Sequence, residues 1–431
     1  MPNLTVATWL LLGSFVFFLI VRIPITFALA ISSVLTAIFL KIPIMTTLLH
    51  MVKGVESFSL LAIPFFIIAG EIMGQGGISR RLIEFSNILI GRLRGGLAMV
   101  NVLASMFFGG ISGSAVADIS SIGSVMIPMM KEKGFDDDYS VAVTVTSACQ
   151  GVIIPPSHNV IIYSVAAGGV SVGSLFLGGV IPGIVLGLAV LVVSYVIAVK
   201  RDYPKGDRIP FKKAVKITRD AILGLITAVI IIGGVLSGVF TATESAAIAC
   251  IYAFIVTFFI YREIPLKDMD KILFNSLKTL AMVMSLIAAA SSFGWFLAYL
   301  KVPALATEAL LSISGNKIIL LLLINVLLLG LGCIMDMAPL ILIVTPILLP
   351  VMSKLEISPV HFGIMLILNL AIGLTTPPVG SALFVGCAIG KVSIEKMTKT
   401  LLPFYAAMII ALLLVTFVPE FVMFLPKMFM K

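Results

Sequence analysis

Between Tyr139 and Val199 the chain runs for 61 residues without an Asp, Glu, Lys or Arg. A soluble fold must turn polar side chains to water, whereas a bilayer has no such requirement. Further charge-free runs extend from Ala221 to Thr243 and from Ile357 to Gly390. About 20 apolar residues carry a helix across a bilayer, so these runs predict an all-α polytopic membrane protein. Composition agrees, with 60% of the 431 residues apolar and 11% charged, far from the soluble balance. A secreted domain, a nucleic-acid binder and a cytosolic enzyme are thereby excluded. No clustered acid, base or metal set suggests catalysis, and no cofactor is expected. The net charge of +9 reads as a topology signal, because basic residues collect in cytoplasmic loops.

Cys149, Cys250, Cys333 and Cys387 all lie in apolar segments without paired spacing, which suits small packing residues better than zinc, redox or disulfide chemistry. His50, His158 and His361 are far apart, so a His-based metal site would need ligands from elsewhere. The N-terminus lacks a basic leader and a small-residue cleavage site, and the first span is expected to be retained.

The densest basic stretch, Lys200 to Arg219, contains Asp202 and Asp207 as its only acids and should be cytoplasmic. Working outward, spans are expected near 4–21, 24–40, 57–76, 139–170 (broken), 173–199, 220–236, 240–260, 279–300, 358–390 (broken) and 400–425. Two stretches, about 95–130 and 316–353, carry glycine-rich or polar breaks near their middles, Gly109 to Ser114 and Gly330 to Asp336. Arms of roughly 15 residues reach about 22 Å, short of a hydrocarbon core of about 30 Å, so both read as re-entrant hairpins. With that reading, of the 29 Lys and Arg only Lys41, Lys53, Lys301, Lys317, Lys354, Lys427 and Lys431 fall outside the cytoplasm. Both termini then point to the periplasm. Ile78 to Leu93 spaces Leu82, Phe85, Leu89 and Leu93 as an amphipathic interfacial arm.

The two hairpin regions repeat. Asp118 precedes Pro128 by the same ten residues that separate Asp336 from Pro346, and each unit continues to a proline pair, Pro155-Pro156 and Pro377-Pro378, inside a long apolar span. The topology makes the units inverted, the recurring plan of secondary transporters with binding sites at broken helices. Four segments follow: scaffold helices and arm (1–94), first transport repeat (95–199), central loop, scaffold helices and arm (200–315), and second transport repeat (316–431).

A proline pair removes two amide donors and frees the preceding carbonyls, which in hydrocarbon need another partner. A buried cation can supply it. Carbonyls of Gly151, Ile154 and Pro155 can meet the tip of the first hairpin at Ser112, Gly113 and Ser114. Those of Gly373, Thr375 and Thr376 can meet Gly332, Met335 and Asp336 of the second. Sodium suits such oxygen cages. The helices that restart near Ser157, His158 and Asn159 and near Val379, Gly380 and Ser381 present positive ends that can receive a carboxylate. Asp118 and Asp336 are intramembrane carboxylates, for which a functional role is the default, although each could equally cap its second hairpin arm. For Glu71 and Glu244 a structural hydrogen bond is the better reading.

Six strings together resemble the large membrane subunit of tripartite ATP-independent periplasmic (TRAP) transporters, the DctM type, over essentially the whole chain. They are Ala69-Gly70 through Ile78, Phe107 to Asp118, Ile153 to Ser157, Phe240 to Ile248, Asp336 to Pro350 and Pro359 to Gly380. The resemblance implies an inner-membrane, sodium-coupled importer of an organic acid such as a C4-dicarboxylate, sugar acid or sialic acid. It also implies a separate four-helix DctQ-type subunit, a DctP-type periplasmic solute-binding protein, and an elevator motion of the hairpins and broken helices. The family's sodium positions fall on Ser112 and Gly113 with Gly151, Ile154 and Pro156, and on Gly332 with Thr375 and Pro378. Ala242 stands where many members have proline, and His158-Asn159 after Pro-Pro-Ser is a second departure, which bears on solute choice. The alternative is a standalone sodium/divalent-anion symporter of the same superfamily.

Overall fold

The computed structural model describes residues 3–206 and 208–430; Asp207 and Lys431, both used in the charge pattern above, lie outside the described residues. Among these the chain forms no strand. It opens with α1 (Leu4–Ile20), α2 (Ile25–Leu40), α3 (Ile44–Val55), α4 (Ala62–Gln75, led by a 3-10 turn from Phe58) and α5 (Ile78–Ile90). The first repeat comprises α6 (Gly96–Ser112), α7 (Ala115–Asp118), a π turn (Ile119–Gly123), α8 (Ser124–Glu132), α9 (Asp137–Gly151), α10 (His158–Ala166) and α11 (Val172–Lys200). Next come α12 (Phe211–Leu236), α13 (Ala242–Ile255), α14 (Met269–Tyr299) and α15 (Val302–Ile313). The second repeat comprises α16 (Lys317–Gly332), α17 (Met337–Lys354), α18 (Pro359–Gly373), α19 (Ser381–Gly390), α20 (Ile394–Phe417) and α21 (Glu420–Phe429).

Local chemistry explains the ends. Thr241 and Glu244 form a reciprocal capping box at α13, and Asn3, Ser171 and Asn316 accept from first-turn amides of α1, α11 and α16. Each satisfies a donor that no helical carbonyl can reach. Glu244 and Glu71 take the structural roles expected of them: Glu71 accepts from Gln75 at 2.6 Å and Asn275 at 3.3 Å.

Helices α1 to α4 and α12 to α14 pack mainly on one another, with α14 running along α2, α3 and α4, while α5 bridges α12 and α6. The remaining core is built from α6 to α11 and α16 to α20. There the chain doubles back in the first hairpin: Asn101 near the start of α6 reaches Met130 near the end of α8, Nδ2 to Sδ 3.9 Å. In the second, α16 packs chiefly on α18, and α17 packs on α15, α10 and α14. The helices of these stretches begin at Gly96 and Lys317 and end at Glu132 and Lys354, close to the expected 95–130 and 316–353. The arms, however, hold 16 to 18 residues in α16, α6 and α17, about 24 to 27 Å at 1.5 Å per residue.

Among the described residues seven helical stretches are long and apolar enough to cross a bilayer, and α17 is one of them. Three expectations need correction. Helix α3 is absent from the expected spans because its 12 residues, though amphipathic, are too few to cross a bilayer. The basic segment is loop only to Pro210, which starts α12, so Lys212, Lys213, Lys216 and Arg219 ride on that helix. The last span stops at Phe417 rather than near 425, because Val418 leaves the helical region ahead of Pro419, which has no amide to donate.

Candidate functional site

Each repeat brings its hairpin tip against its own helix break through a pair of facing glycines. A Cβ built on Gly109 would stand 2.1 Å from the Cα of Gly151, and one built on Gly373 would stand 2.7 Å from the Cα of Gly332. Only glycine lets the backbones approach this closely. Eight residues before Gly109 and seven before Gly332, an asparagine fastens the same helix pair. Asn101 donates to Thr144 Oγ1 at 2.6 Å, and Asn325 Oδ1 accepts from Asn369 at 2.8 Å.

From that crossing the first tip runs along the break. Gly110 lies against the Pro155 carbonyl, and Gly113, with φ +61°, lies against Pro156, Ser157 and His158. The Gly113 carbonyl accepts a long bond from Asn159 at 3.5 Å. Among the described residues, no hydrogen bond reaches the carbonyls of Ile153, Ile154, Pro155 or Pro156. The buried Ser157 hydroxyl is also without a partner. Unpaired acceptors are costly when buried, so this oxygen set suits a hard cation. Ser112 and Ser114 shape the turn: Ser112 Oγ accepts from the Ser114 amide at 3.4 Å, and Ser114 caps α7.

The second break is more self-contained. The Leu374 carbonyl accepts from Ala382 and Leu383, the Gly373 carbonyl from Thr376, and the Thr376 carbonyl from Gly380. The Thr375 and Thr376 hydroxyls both donate to the Ile372 carbonyl, at 2.8 and 2.9 Å. The Tyr405 hydroxyl of α20 donates to the Thr375 carbonyl. Val379 donates to the Cys333 carbonyl at 3.0 Å, and Ser381 donates to Asp336 Oδ1 at 3.2 Å. Both proline pairs, Pro155-Pro156 and Pro377-Pro378, are cis.

The repeats interlock in a crossed fashion. Helix α19 packs on α9 and the first hairpin, while α10 packs on α17 of the second. At the centre Cys149 Sγ donates to the Ala371 carbonyl at 3.1 Å, two residues before either break. The packing role expected of Cys149 therefore includes a tie between repeats.

The predicted residues gather as two clusters, one per repeat. Ser112, Gly113, Ser114, Gly151, Ile154, Pro156, Ser157, His158 and Asn159 make the first. Gly332, Asp336, Gly373, Thr375, Thr376, Pro378, Gly380 and Ser381 make the second. The two aspartates part company. Asp336 is exposed and stands at the cap position of α17, yet its side chain makes no capping bond. Asp118 is 1% exposed, lies inside the second arm, and neither carboxylate oxygen has a hydrogen-bond partner. The capping alternative for Asp118 is overturned, since Ser114 caps that arm. Sequence reading missed Gly109, Tyr405 and the Asn101–Thr144 and Asn325–Asn369 pairs. A signal was present: amides and a phenol within apolar runs need partners.

The family model of the tripartite ATP-independent periplasmic transporter DctM component matches residues 12–421. The sialic acid TRAP transporter large permease protein SiaM of Vibrio cholerae is 40% identical over 384 residues, 88% of this chain and 89% of that one. The C4-dicarboxylate TRAP transporter large permease protein DctM of Rhodobacter capsulatus is 35% identical over 434 residues, 97% of this chain and 98% of that one. Among solved structures, the YdaH transporter of Alcanivorax borkumensis superposes with a TM-score of 0.62 at 15% identity, covering 86% of this chain and 87% of that one. That likeness concerns the fold alone.

Proposed function

The chain belongs to the DctM component family of tripartite ATP-independent periplasmic transporters, a multi-pass inner-membrane permease family, and on that premise we propose that it imports an organic acid by sodium coupling. The observation that carries this reading is the row of unpartnered carbonyls from Ile153 to Pro156 beneath a glycine-lined hairpin tip. In the first repeat, sodium is held by Ser112, Gly113, Gly151, Ile154 and Pro156. In the second it is held by Gly332, Asp336, Gly373, Thr375, Thr376 and Pro378, where the carbonyls that already accept one bond keep a second lone pair. The solute carboxylate is received by the restarting helices, through Ser114, Ser157, His158 and Asn159 on one side and Gly380 and Ser381 on the other. The names of the relatives favour a sialic acid or a C4-dicarboxylate.

The hairpins are re-entrant, and with the broken helices they move as a unit against α1 to α4 and α12 to α14. The two packing groups and the crossed interlock of the repeats support that division. A DctQ-type subunit and a DctP-type solute-binding protein complete the system, and both termini face the periplasm. Two sodium ions with a dianion would be electroneutral; with a monoanion they carry one net charge, driven by about 2.3 kcal/mol per 100 mV. The test is uptake into proteoliposomes holding the permease, the small subunit and the binding protein. Uptake should depend on an inward sodium gradient, and undiminished uptake without one overturns the reading.

A further inference from the structure

A groove of about 790 Å³ lies between the end of α5 and the first turns of α12. Its volume falls within the range that holds organic ligands, about 300 to 1,000 Å³. Ile88 of α5 and Phe211, Val215, Ile222 and Leu223 of α12 give it an apolar lining, and Arg92 and Arg219 line it as well. Phe211, Val215 and Ile222 are 85%, 53% and 45% exposed. Among the described residues neither arginine is in an ion pair.

The groove sits where α12 changes character. Its first turns carry Lys212, Lys213, Lys216 and Arg219, and from Ala221 the helix is free of charge through its end at Leu236. A site at this boundary therefore has an apolar part facing hydrocarbon and a cationic part at headgroup level. An apolar protein helix would cover the apolar part and leave both guanidinium groups without a counter-charge. A phosphodiester headgroup answers the charge, and its acyl chains answer the apolar part.

We propose that this groove binds an anionic phospholipid, with Arg92 and Arg219 on the headgroup phosphate and an acyl chain along Ile222 and Leu223. The test is native mass spectrometry of the full chain purified with its small subunit, titrated with phosphatidylglycerol, phosphatidylcholine or inorganic phosphate. Phosphatidylglycerol should be retained in preference to the zwitterionic lipid, and inorganic phosphate should not displace it. The double variant Arg92→Gln, Arg219→Gln should bind phosphatidylglycerol about thirtyfold more weakly, the loss of two near-surface cationic contacts. Ile222→Trp, which fills the apolar part and keeps both charges, should also lose the lipid. Equal retention of both lipids by wild type, displacement by inorganic phosphate, or unaltered binding in either variant overturns the proposal. A small subunit that occupies the groove and excludes lipid overturns it as well.

Discussion

Gly109 and Gly151 meet backbone to backbone: a methyl group on Gly109 would stand 2.1 Å from the Cα of Gly151. The second repeat has the same arrangement at Gly332 and Gly373, where a methyl on Gly373 would stand 2.7 Å from the Gly332 Cα. The colliding atoms are main chain, so no side chain can swing aside. Gly151→Ala and Gly373→Ala should each destabilise the protein by about 1 to 3 kcal/mol, the usual range for overpacking, and should reduce uptake. Thermal melting in detergent checks the first effect and proteoliposome assays the second; a melt and an uptake rate equal to wild type would show that the hairpins are not seated by these contacts.

Asp118 is a buried carboxylate with no hydrogen-bond partner for either oxygen. Leaving such a group unsatisfied costs about 1 to 3 kcal/mol, and a membrane protein keeps it where function uses it. Asp118→Asn should therefore melt at or above the wild-type temperature while uptake falls about tenfold, equivalent to about 1.4 kcal/mol in barrier. Full uptake in this variant would make the carboxylate dispensable.

The Tyr405 hydroxyl reaches from α20 to the second break and donates to the Thr375 carbonyl. Tyr405→Phe removes a bond worth about 1 kcal/mol and leaves the packing nearly unchanged. Sodium activation of uptake should weaken about fivefold, with membrane insertion intact. An unchanged sodium concentration dependence would place Thr375 outside the ion site.

Ser112 forms the turn of the first hairpin tip, and Thr375 braces the second break. Replacing either with Trp should abolish uptake or its sodium dependence, because the tip has no room for the added volume. Retention of wild-type sodium affinity in both variants would remove the two assigned ion sites.

A polar turn ties the start of α9 to the end of α11. Asp136 accepts from Tyr203 at 2.6 Å and from Arg201 at 2.7 Å. The Tyr203 hydroxyl first, and then the Arg201 guanidinium, hold the Asp136 carboxyl below the usual carboxylate range. A depressed folded-state value adds stability above the unfolded value and loses it as pH falls through the folded one. Asp136→Asn should melt below wild type at neutral pH, and the gap should close as pH falls below about 4, near the unperturbed value for Asp. A gap that persists unchanged in acid would show that packing of Phe135, Tyr139 and Tyr203 holds this turn instead.

Most of the helical framework was legible because its cause is local. Charge-free runs, proline pairs and glycine clusters each act within a few residues, so most helix ends, both breaks and both restarts were readable. Elements whose polarity is mixed were harder. Helix α3 is amphipathic but too short to cross a bilayer, and the basic start of α12 has the composition of a loop; packing against α2 and α14 settles the first, and continuation into an apolar helix the second. Asp118 and Asp336 shared one sequence signature, yet one is buried without partners and the other exposed and bonded to Ser381.

By itself the sequence determined that this chain lives in a bilayer, that two stretches share the spacing from aspartate to proline, and where the helix carrying each proline pair must break. Those outcomes follow from transfer free energies and from the missing proline amides, which need no knowledge of distant residues. Tertiary structure alone decided which tip glycine touches which break, that α19 seats on the first repeat and α10 on the second, and that Tyr405 closes on Thr375. Such pairings depend on how helices far apart in the chain cross one another, and a crossing is set by the summed packing of both surfaces rather than by either one.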